Sequence, residues 1–294
     1  MEKKSEKGKK YNRVVMIPTD FSEVCDNAVN HGVELAQFLN YKVHILHVIN
    51  KQTRSYLKKN ELETSYIEEK LNAYREKYEK ESGIRVETAT REGSIFTEIN
   101  QYAADCMANM MILGTHGKQG FQHLFGSYAL KVVLDSPCPV VVVQKRSFGK
   151  GYHDILFPLS NELEPRQKIQ WAMMIARLFD SRIHIFQANE KDPGLNSRLK
   201  IIGSQITQVF TENKVPYLQV TADKPGDFAS QVLEYGIKTQ VDLIMIMTVP
   251  FVDVPGFSVA AWDEKMMFNE AQIPVMCVNP TELGQYYYEF FSLY

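Results

Sequence analysis

The sequence predicts an α/β protein made of two tandem domains, each with a five-stranded, doubly wound parallel sheet. Strand-like apolar runs alternate with segments whose apolar residues recur at helical spacing, which is typical of such sheets. The runs Met110–Leu113 and Val140–Val143 are continuously apolar, as expected for strands covered on both faces. The pattern of the first half of the chain then recurs in the second half.

The predicted elements of the first half follow a regular order. Strands are predicted at 13–18, 43–49, 84–90, 110–114 and 139–144, with helices at 21–39, about 54–82, 94–107 and 126–134. The helix at 21–39 places Ala28, Val33 and Ala36 at helical spacing, and the charged helix at 54–82 places Ile67 and Leu71 on one face.

The second half repeats the first at a slowly changing offset. The offset is 140 for His44 and His184, 133 for Tyr102 and Tyr235, and 135 for Pro139 and Pro274. A period this long exceeds a solenoid unit and indicates two copies of one domain. We expect a disordered basic tail at 1–10, domains at 11–147 and 152–280, a linker at 148–151 and an aromatic tail at 281–294.

Composition and charge exclude several classes of protein. The net charge of −2 over 294 residues gives no basic footprint for nucleic acid. No apolar run reaches the roughly 18 residues of a membrane span, and the Lys-rich start does not resemble a secretory signal. The four cysteines lack the spacing of a metal or redox motif, and so few thiols favour a reducing compartment. We therefore predict a cytoplasmic protein without a membrane or nucleic-acid partner.

A glycine pattern follows the fourth predicted strand. The strand ends at Gly114, Gly117 follows, and Gly126-Ser127 opens the next helix eight residues later. Glycines let backbone approach a ligand closely, and the free N–H groups of a helix N-terminus attract anions. Asp20 follows the first strand, so it reaches the same carboxyl edge of the sheet. This edge is the predicted ligand site.

The first half resembles the universal stress protein family. The resemblance rests on VVMIPTDFSE, HILHVI, GTHGKQGFQHLFGS and SPCPVVVV, and the second half resembles a degenerate copy. In that family the fifth strands of two subunits pair antiparallel across a dimer axis. The resemblance thus implies an internal pseudo-dimer joined through 140–143 and 275–278. Further self-association into a homodimer and unidentified protein partners are also expected.

The resemblance also implies an ATP site in the first half, with Mg²⁺ as a companion of the nucleotide. Family members that bind ATP have Gly-x2-Gly-x9-Gly-Ser/Thr, whereas the last spacing here is one residue shorter. Asp20 matches the acid near the adenine or ribose, Val48 lines the adenine pocket, and the glycines match phosphate and ribose contacts. The implied nucleotide-binding residues are Pro18, Thr19, Asp20, Val48, Gly114, Thr115, His116, Gly117, Gly126 and Ser127.

Structural interpretations stay open for several of these residues. Asp20 can cap the following helix, as Ser22 can, and Ser127 can be the N-cap of its own helix. Gly114 and Gly117 can be ordinary loop glycines. His116 lacks a second ligand at metal spacing and is interpreted as a solvated loop residue. The paired His44 and His184 are expected to be structural.

The second half has lost the predicted chemistry. Ser160 stands where the first half has Asp20, and the segment 248–255 contains no Gly-x-x-Gly. Pro250 and Pro255 remove backbone donors there, so no nucleotide is expected in this half.

Three functions remain open at this point: a nucleotide-binding regulatory protein, a nucleotide-free stress-response scaffold, and a slow ATPase. The last is disfavoured because no GxxxxGK[ST] motif, carboxylate pair or Ser-His-Asp set is present. No catalytic residue is assigned.

Overall fold

The ten strands of the described chain form one continuous sheet. The structure is a computed structural model and describes residues 13–115, 125–149, 151–160, 165–248 and 261–280. No helix within these ranges is long and apolar enough to cross a membrane. The predicted tails at 1–10 and 281–294 lie outside the described residues.

Each half contributes five strands and its own helices. The first half contains β1 (Val14–Pro18), α1 (Glu23–Leu39), β2 (Lys42–Ile49), α2 (Lys51–Lys59), α3 (Ser65–Ser82), β3 (Val86–Glu92), α4 (Ile95–Asp105), β4 (Met110–Gly114), α5 (Phe125–Leu134) and β5 (Val140–Val143). The second contains β6 (Asp154–Leu159), a 3₁₀ turn (Pro165–Lys168), α6 (Ile169–Phe179), β7 (Arg182–Gln187), α7 (Pro193–Glu212), β8 (Tyr217–Thr221), α8 (Phe228–Thr239), β9 (Leu243–Met247), α9 (Ala261–Met267) and β10 (Val275–Val278).

The strand order confirms the predicted doubly wound topology and the pairing of the two fifth strands. The order across the sheet is β3-β2-β1-β4-β5-β10-β9-β6-β7-β8. Neighbours within each half are parallel, while β5 and β10 are antiparallel, with Val142 opposite Val275 and Val140 opposite Cys277. Both strands are fully buried, because each covers an apolar edge that the other half would leave open.

The two halves also hold each other's helix ends by matched amide side chains. Gln144, just after β5, donates from its side-chain amide to the carbonyl of Asn269 at 2.9 Å, beyond the end of α9. Asn279, just after β10, donates to the carbonyls of Val133 and Leu134 at the end of α5, at 2.8 and 3.2 Å. The terminal carbonyls of a helix need such partners, so each half stabilises the other beyond the strand pairing.

The predicted long helix at 54–82 is wrong, because the structure has two helices there. Helix α2 ends in a Schellman motif: Glu61 is left-handed with φ +56°, and the N–H of Leu62 donates to the carbonyl of Leu57 at 2.9 Å. Leu57 is buried and Leu62 is partly buried, so the break turns both leucines toward the core. No glycine or proline marks this turn in the sequence.

The remaining predicted boundaries shift by a few residues. Helix α1 begins at Glu23 rather than residue 21, because Phe21 is left-handed and Ser22 is the N-cap. Strand β3 lies two residues later than predicted, because it pairs with β2 up to Ile49 opposite Glu92.

The sequence repeat is visible in paired side-chain contacts. His44 Nδ1 lies 3.0 Å from the Tyr102 hydroxyl, and His184 Nδ1 lies 3.0 Å from the Tyr235 hydroxyl. Each contact ties the second strand of its half to the helix before the fourth strand, which agrees with the structural role expected for this histidine position. None of these four residues lines the cavity described below.

Candidate functional site

A cavity of about 560 Å³ opens at the carboxyl edge of the first half of the sheet. It lies over the ends of β1, β2 and β4, where the order of a doubly wound sheet reverses and ligands bind. Its volume falls within the range of small-molecule sites. Six of the predicted site residues line it: Pro18, Thr19, Asp20, Val48, Gly114 and Thr115.

Gly114 is required for packing as well as for an open cavity. A Cβ atom at this position would lie 3.0 Å from the carbonyl oxygen of Val24 and 3.2 Å from the Cβ of Ala28. Both contacts are with α1, so the missing side chain lets that helix lie directly against the end of β4. Gly114 is therefore more than an ordinary loop glycine.

Thr115 brings a buried hydroxyl to the cavity. Its side chain is 3% exposed, and its Oγ1 finds no hydrogen-bond partner among the described residues. Its backbone N–H is satisfied by the carbonyl of Val143 at 2.9 Å. A buried polar atom without a partner costs free energy, and a ligand group in the cavity would remove that cost.

Asp20 lies in a tight turn between β1 and α1. Its Oδ1 accepts from the N–H of Ser22 at 2.9 Å, and Thr19 Oγ1 accepts from the N–H of Phe21 at 3.0 Å. The N-cap of α1 is Ser22, whose hydroxyl accepts from the N–H of Cys25 at 3.4 Å. The capping interpretation of Asp20 is therefore wrong, and its exposed carboxylate lines the cavity.

Phe21 adopts a backbone conformation that is costly for an aromatic residue. Its φ of +63° lies in the left-handed region, which costs an L-residue roughly 1–2 kcal/mol. The turn holds it there and directs the ring onto His47, with 4.7 Å between the stacked ring centroids. The Nζ of Lys70 lies 5.1 Å from the centre of the Phe21 ring.

His47 is a cavity residue that the sequence reasoning did not select. Its Nδ1 lies 2.8 Å from the carbonyl of Thr19, and its Nε2 lies 3.2 Å from the hydroxyl of Thr53. Burial lowers the pKa of His47, so the ring is neutral at pH 7. Donation from Nδ1 to the Thr19 carbonyl leaves Nε2 as the acceptor. The polar residue interrupting the apolar strand HILHVI was the available signal.

Helices α2 and α3 form the outer wall of the cavity. Asn50 caps α2, and its Oδ1 accepts from the N–H groups of Gln52 and Thr53 at 2.9 and 3.0 Å. Tyr56 of α2 and Tyr66 of α3 both line the cavity. This wall depends on the helix break that the sequence did not reveal.

The remaining predicted site residues belong to the segment before and within α5. His116 and Gly117 lie outside the described residues. Gly126 and Ser127 lie in the first turn of α5, which begins at Phe125. Ser127 is thus inside the helix, and its interpretation as the N-cap is wrong. Ala129 and Val132 of the same helix line the cavity.

Comparisons with known proteins identify the relatives of this chain. Residues 12–144 match the model of the universal stress protein family. A universal stress protein of Methanocaldococcus jannaschii is 30% identical over 145 residues, covering 47% of this chain and 85% of that protein. The chain belongs to the universal stress protein family. Universal stress protein G of Escherichia coli O157:H7 is 27% identical, covering 45% of this chain and 99% of that protein.

The fold of this universal stress protein also matches a solved structure over nearly its whole length. The crystal structure of a universal stress protein from Archaeoglobus fulgidus covers 91% of this chain and 98% of its own, with a TM-score of 0.70 and 16% identity. This likeness shows the shared fold of both halves.

The equivalent edge of the second half carries different side chains. Met247 stands where the first half has Gly114, and Gln187 stands where it has His47; both are buried. Ser160 replaces Asp20, as predicted from the repeat. Of the segment 248–255, where the loss of glycines was predicted, only Thr248 lies among the described residues.

A buried lysine lies at this second edge. Lys168 is 0% exposed and takes the place of Ala28, whose Cβ faces Gly114 in the first half. Its Nζ donates to the carbonyl of Pro158 at 2.5 Å and lies 4.4 Å from the centre of the Phe157 ring. A cation and a long side chain thus lie at the carboxyl end of β6.

Metal-binding chemistry has no candidate in the described ranges. They contain no group of three or more His, Cys, Asp or Glu side chains that could hold an ion. All four cysteines are buried, and none of them forms a disulfide bond. Burial raises the pKa of Cys106 to about 11, so its thiol is protonated at pH 7.

Proposed function

We propose that this universal stress protein is a regulatory stress-response protein that binds ATP or another adenine nucleotide in its N-terminal half only. The observation that carries the proposal is the cavity at the ends of β1, β2 and β4, with the partnerless Thr115 hydroxyl in its wall. Bound nucleotide would shift the conformation of the protein or its association with partner proteins in the cytoplasm.

The lining of the cavity suits the parts of a nucleotide. Leu46, Val48 and Leu113 offer apolar surface for a base, while the Asp20 carboxylate accepts hydrogen bonds from amino or hydroxyl groups. The phosphates would lie toward Gly114 and the N-terminus of α5, where helix N–H groups favour anions. Mg²⁺ would arrive bound to the phosphates, because Asp20 is the only carboxylate among the described lining residues.

The replacements at the second edge support the proposed restriction to one half. Met247 occupies the position where Gly114 lies beside the cavity, and Lys168 adds a long buried side chain. An incoming nucleotide would have to displace both, with the loss of their packing.

Nucleotide bound to the purified protein is the first test. Heat-denatured protein should release about one adenine nucleotide per chain, measured by absorbance and chromatography of the supernatant. A thermal-shift panel of ATP, ADP, AMP and cyclic AMP should then raise the melting temperature, since ligands that bind only the native state stabilise it. Release of no nucleotide and no shift with any member of the panel would instead support the nucleotide-free scaffold.

Gly117→Val tests where the phosphates bind. The added side chain should block the close approach of backbone to phosphate and weaken ATP binding about tenfold or more, measured by calorimetry. Urea unfolding should remain within about 0.5 kcal/mol of wild type, because the glycine pattern predicts a loop position for this residue. Unchanged ATP affinity in Gly117→Val would contradict the placement of the phosphates at this glycine.

ATP turnover that disappears in Asp20→Ala would instead support the ATPase alternative.

A further inference from the structure

We infer that Lys70 is a ligand-binding residue of this cavity and that its ammonium group pairs with the phosphates of the bound nucleotide. The inference rests on the proposed function and adds a specificity residue to it. Lys70 lies on α3, far from the glycine pattern in sequence, and lines the same cavity as Gly114 and Thr115.

Two aromatic rings lie within cation–π distance of the Lys70 ammonium group. Its Nζ lies 5.1 Å from the centre of the Phe21 ring and 5.4 Å from that of Tyr66. Cation–π contacts of this length favour the charged amine at a defined place. Phe21, whose backbone is left-handed, supplies one of the rings that contact the ammonium group. A costly backbone conformation thus helps to position a cation.

The charge of Lys70 is available to a ligand. Among the described residues, no carboxylate lies within 4.0 Å of its Nζ, whereas Arg54, Arg91 and Arg182 all form ion pairs. The half-buried side chain therefore presents an ammonium group that an anion can neutralise.

Other sources of positive potential at the described part of the cavity are limited. Lys70 is the only lysine or arginine among the described lining residues. The N-terminal amides of α2 do not serve, because the Asn50 side chain already accepts from Gln52 and Thr53.

The inference predicts a dependence on phosphate number. An ammonium group acts as a compact point charge, so its contribution should grow with the negative charge of the ligand. ATP and ADP should depend on Lys70 most, AMP less, and adenosine hardly at all.

Calorimetric titration of full-length variants tests this with a matched control. Lys70→Gln should weaken ATP binding about tenfold and adenosine binding less than about twofold, and Lys70→Arg should restore ATP affinity to within about threefold. Lys77→Gln is the control, because Lys77 lies on the same helix over the Tyr78 ring at 4.7 Å but does not line the cavity. Lys77→Gln should bind ATP, ADP, AMP and adenosine with the affinities of wild type.

The outcomes separate the inference from the proposed function. Wild-type protein that binds the nucleotides, with Lys70→Gln and Lys77→Gln giving equal ATP affinities, would overturn the role of Lys70 alone. An equal loss of ATP and adenosine in Lys70→Gln would also overturn it, because the phosphates would not be what Lys70 contacts. Wild-type protein that binds none of the ligands would overturn the proposed function and the inference together.

Discussion

The carboxyl edges of the two halves have the same strands in the same order but carry different side chains. In both, the first strand of the half pairs with the second and fourth, and a threonine follows the fourth. The difference lies in the side chains that meet at this edge. The pairs that differ are Asp20 and Ser160, Ala28 and Lys168, His47 and Gln187, and Gly114 and Met247.

The two edges differ in how the first helix of each half meets the end of the fourth strand. In the first half α1 begins at Glu23 and lies against Gly114, where even a methyl group would be crowded. Residue 163 is the repeat equivalent of Glu23, yet α6 begins only at Ile169, after the 3₁₀ turn that carries Lys168. Between the two halves, the residue that ends the fourth strand therefore changes together with the residue at which the first helix begins.

Changes of side-chain size at the last residue of the fourth strand, Gly114 or Met247, should have the largest effect on stability. Met247→Ala should lower the free energy of unfolding by about 2–5 kcal/mol, because a fully buried side chain leaves a cavity. ATP affinity should not change. Gly114→Ala should cost about 1–3 kcal/mol through its contact with Val24 and should weaken ATP binding. Urea unfolding and calorimetry measure both, and a loss of ATP binding in Met247→Ala would break the comparison.

The second-largest effect should be a difference between the two halves in how their stability depends on pH. His31 is buried in the first half, and Trp171 holds the equivalent position in the second. Burial lowers the pKa of His31 to about 3, from about 6.5 in the unfolded chain. Below about pH 6.5, His31 takes up a proton in the unfolded chain but not in the folded protein. The stability that depends on the neutral His31 ring is therefore fully present above about pH 6.5 and is lost as the pH falls toward 3.

Urea unfolding as a function of pH measures this contribution. Between about pH 6.5 and pH 4.5, wild type should lose about 2–3 kcal/mol more than His31→Phe, whose ring cannot titrate. Trp171→Phe is the matched control and should keep the wild-type slope. Parallel pH profiles for wild type and His31→Phe would contradict the assignment.

The two threonines after the fourth strands give the smallest expected effect, with opposite signs. Thr248 Oγ1 donates to Asn279 Oδ1 at 2.6 Å, whereas Thr115 Oγ1 has no partner in the described ranges. Thr115→Val should raise the free energy of unfolding without ligand by about 1 kcal/mol and reduce the stabilisation by ATP. Thr248→Val should lower it by about 1–2 kcal/mol and leave the ATP effect intact. Equal destabilisation of Thr115→Val and Thr248→Val in thermal melts would contradict the predicted difference between the two threonines.

Much of the fold was predictable because it depends on local patterns. The apolar runs at β4 and β5 and the 140-residue repeat predicted the sheets, and the family resemblance predicted their antiparallel junction. The break after α2 was not predictable, because Glu61 adopts the left-handed conformation without a glycine and only the burial of Leu57 and Leu62 requires it.

The candidate site was predictable along the strand ends but not across the helices. Asp20, Val48 and Gly114 follow from strand positions and the family pattern. Lys70 and Phe21 came together only through the packing of α3 on the turn after β1, which no motif in the sequence marks.

The sequence by itself determined that two copies of one sheet domain exist and where their strands end, because hydrophobic periodicity and duplication are written locally in the chain. Only the tertiary structure decided which side chains meet at each carboxyl edge. That outcome depends on contacts of a few ångströms between residues far apart in sequence, such as Gly114 with Val24 and Lys168 with Pro158. Close packing makes a single side chain at such a contact sufficient to fill or open a cavity.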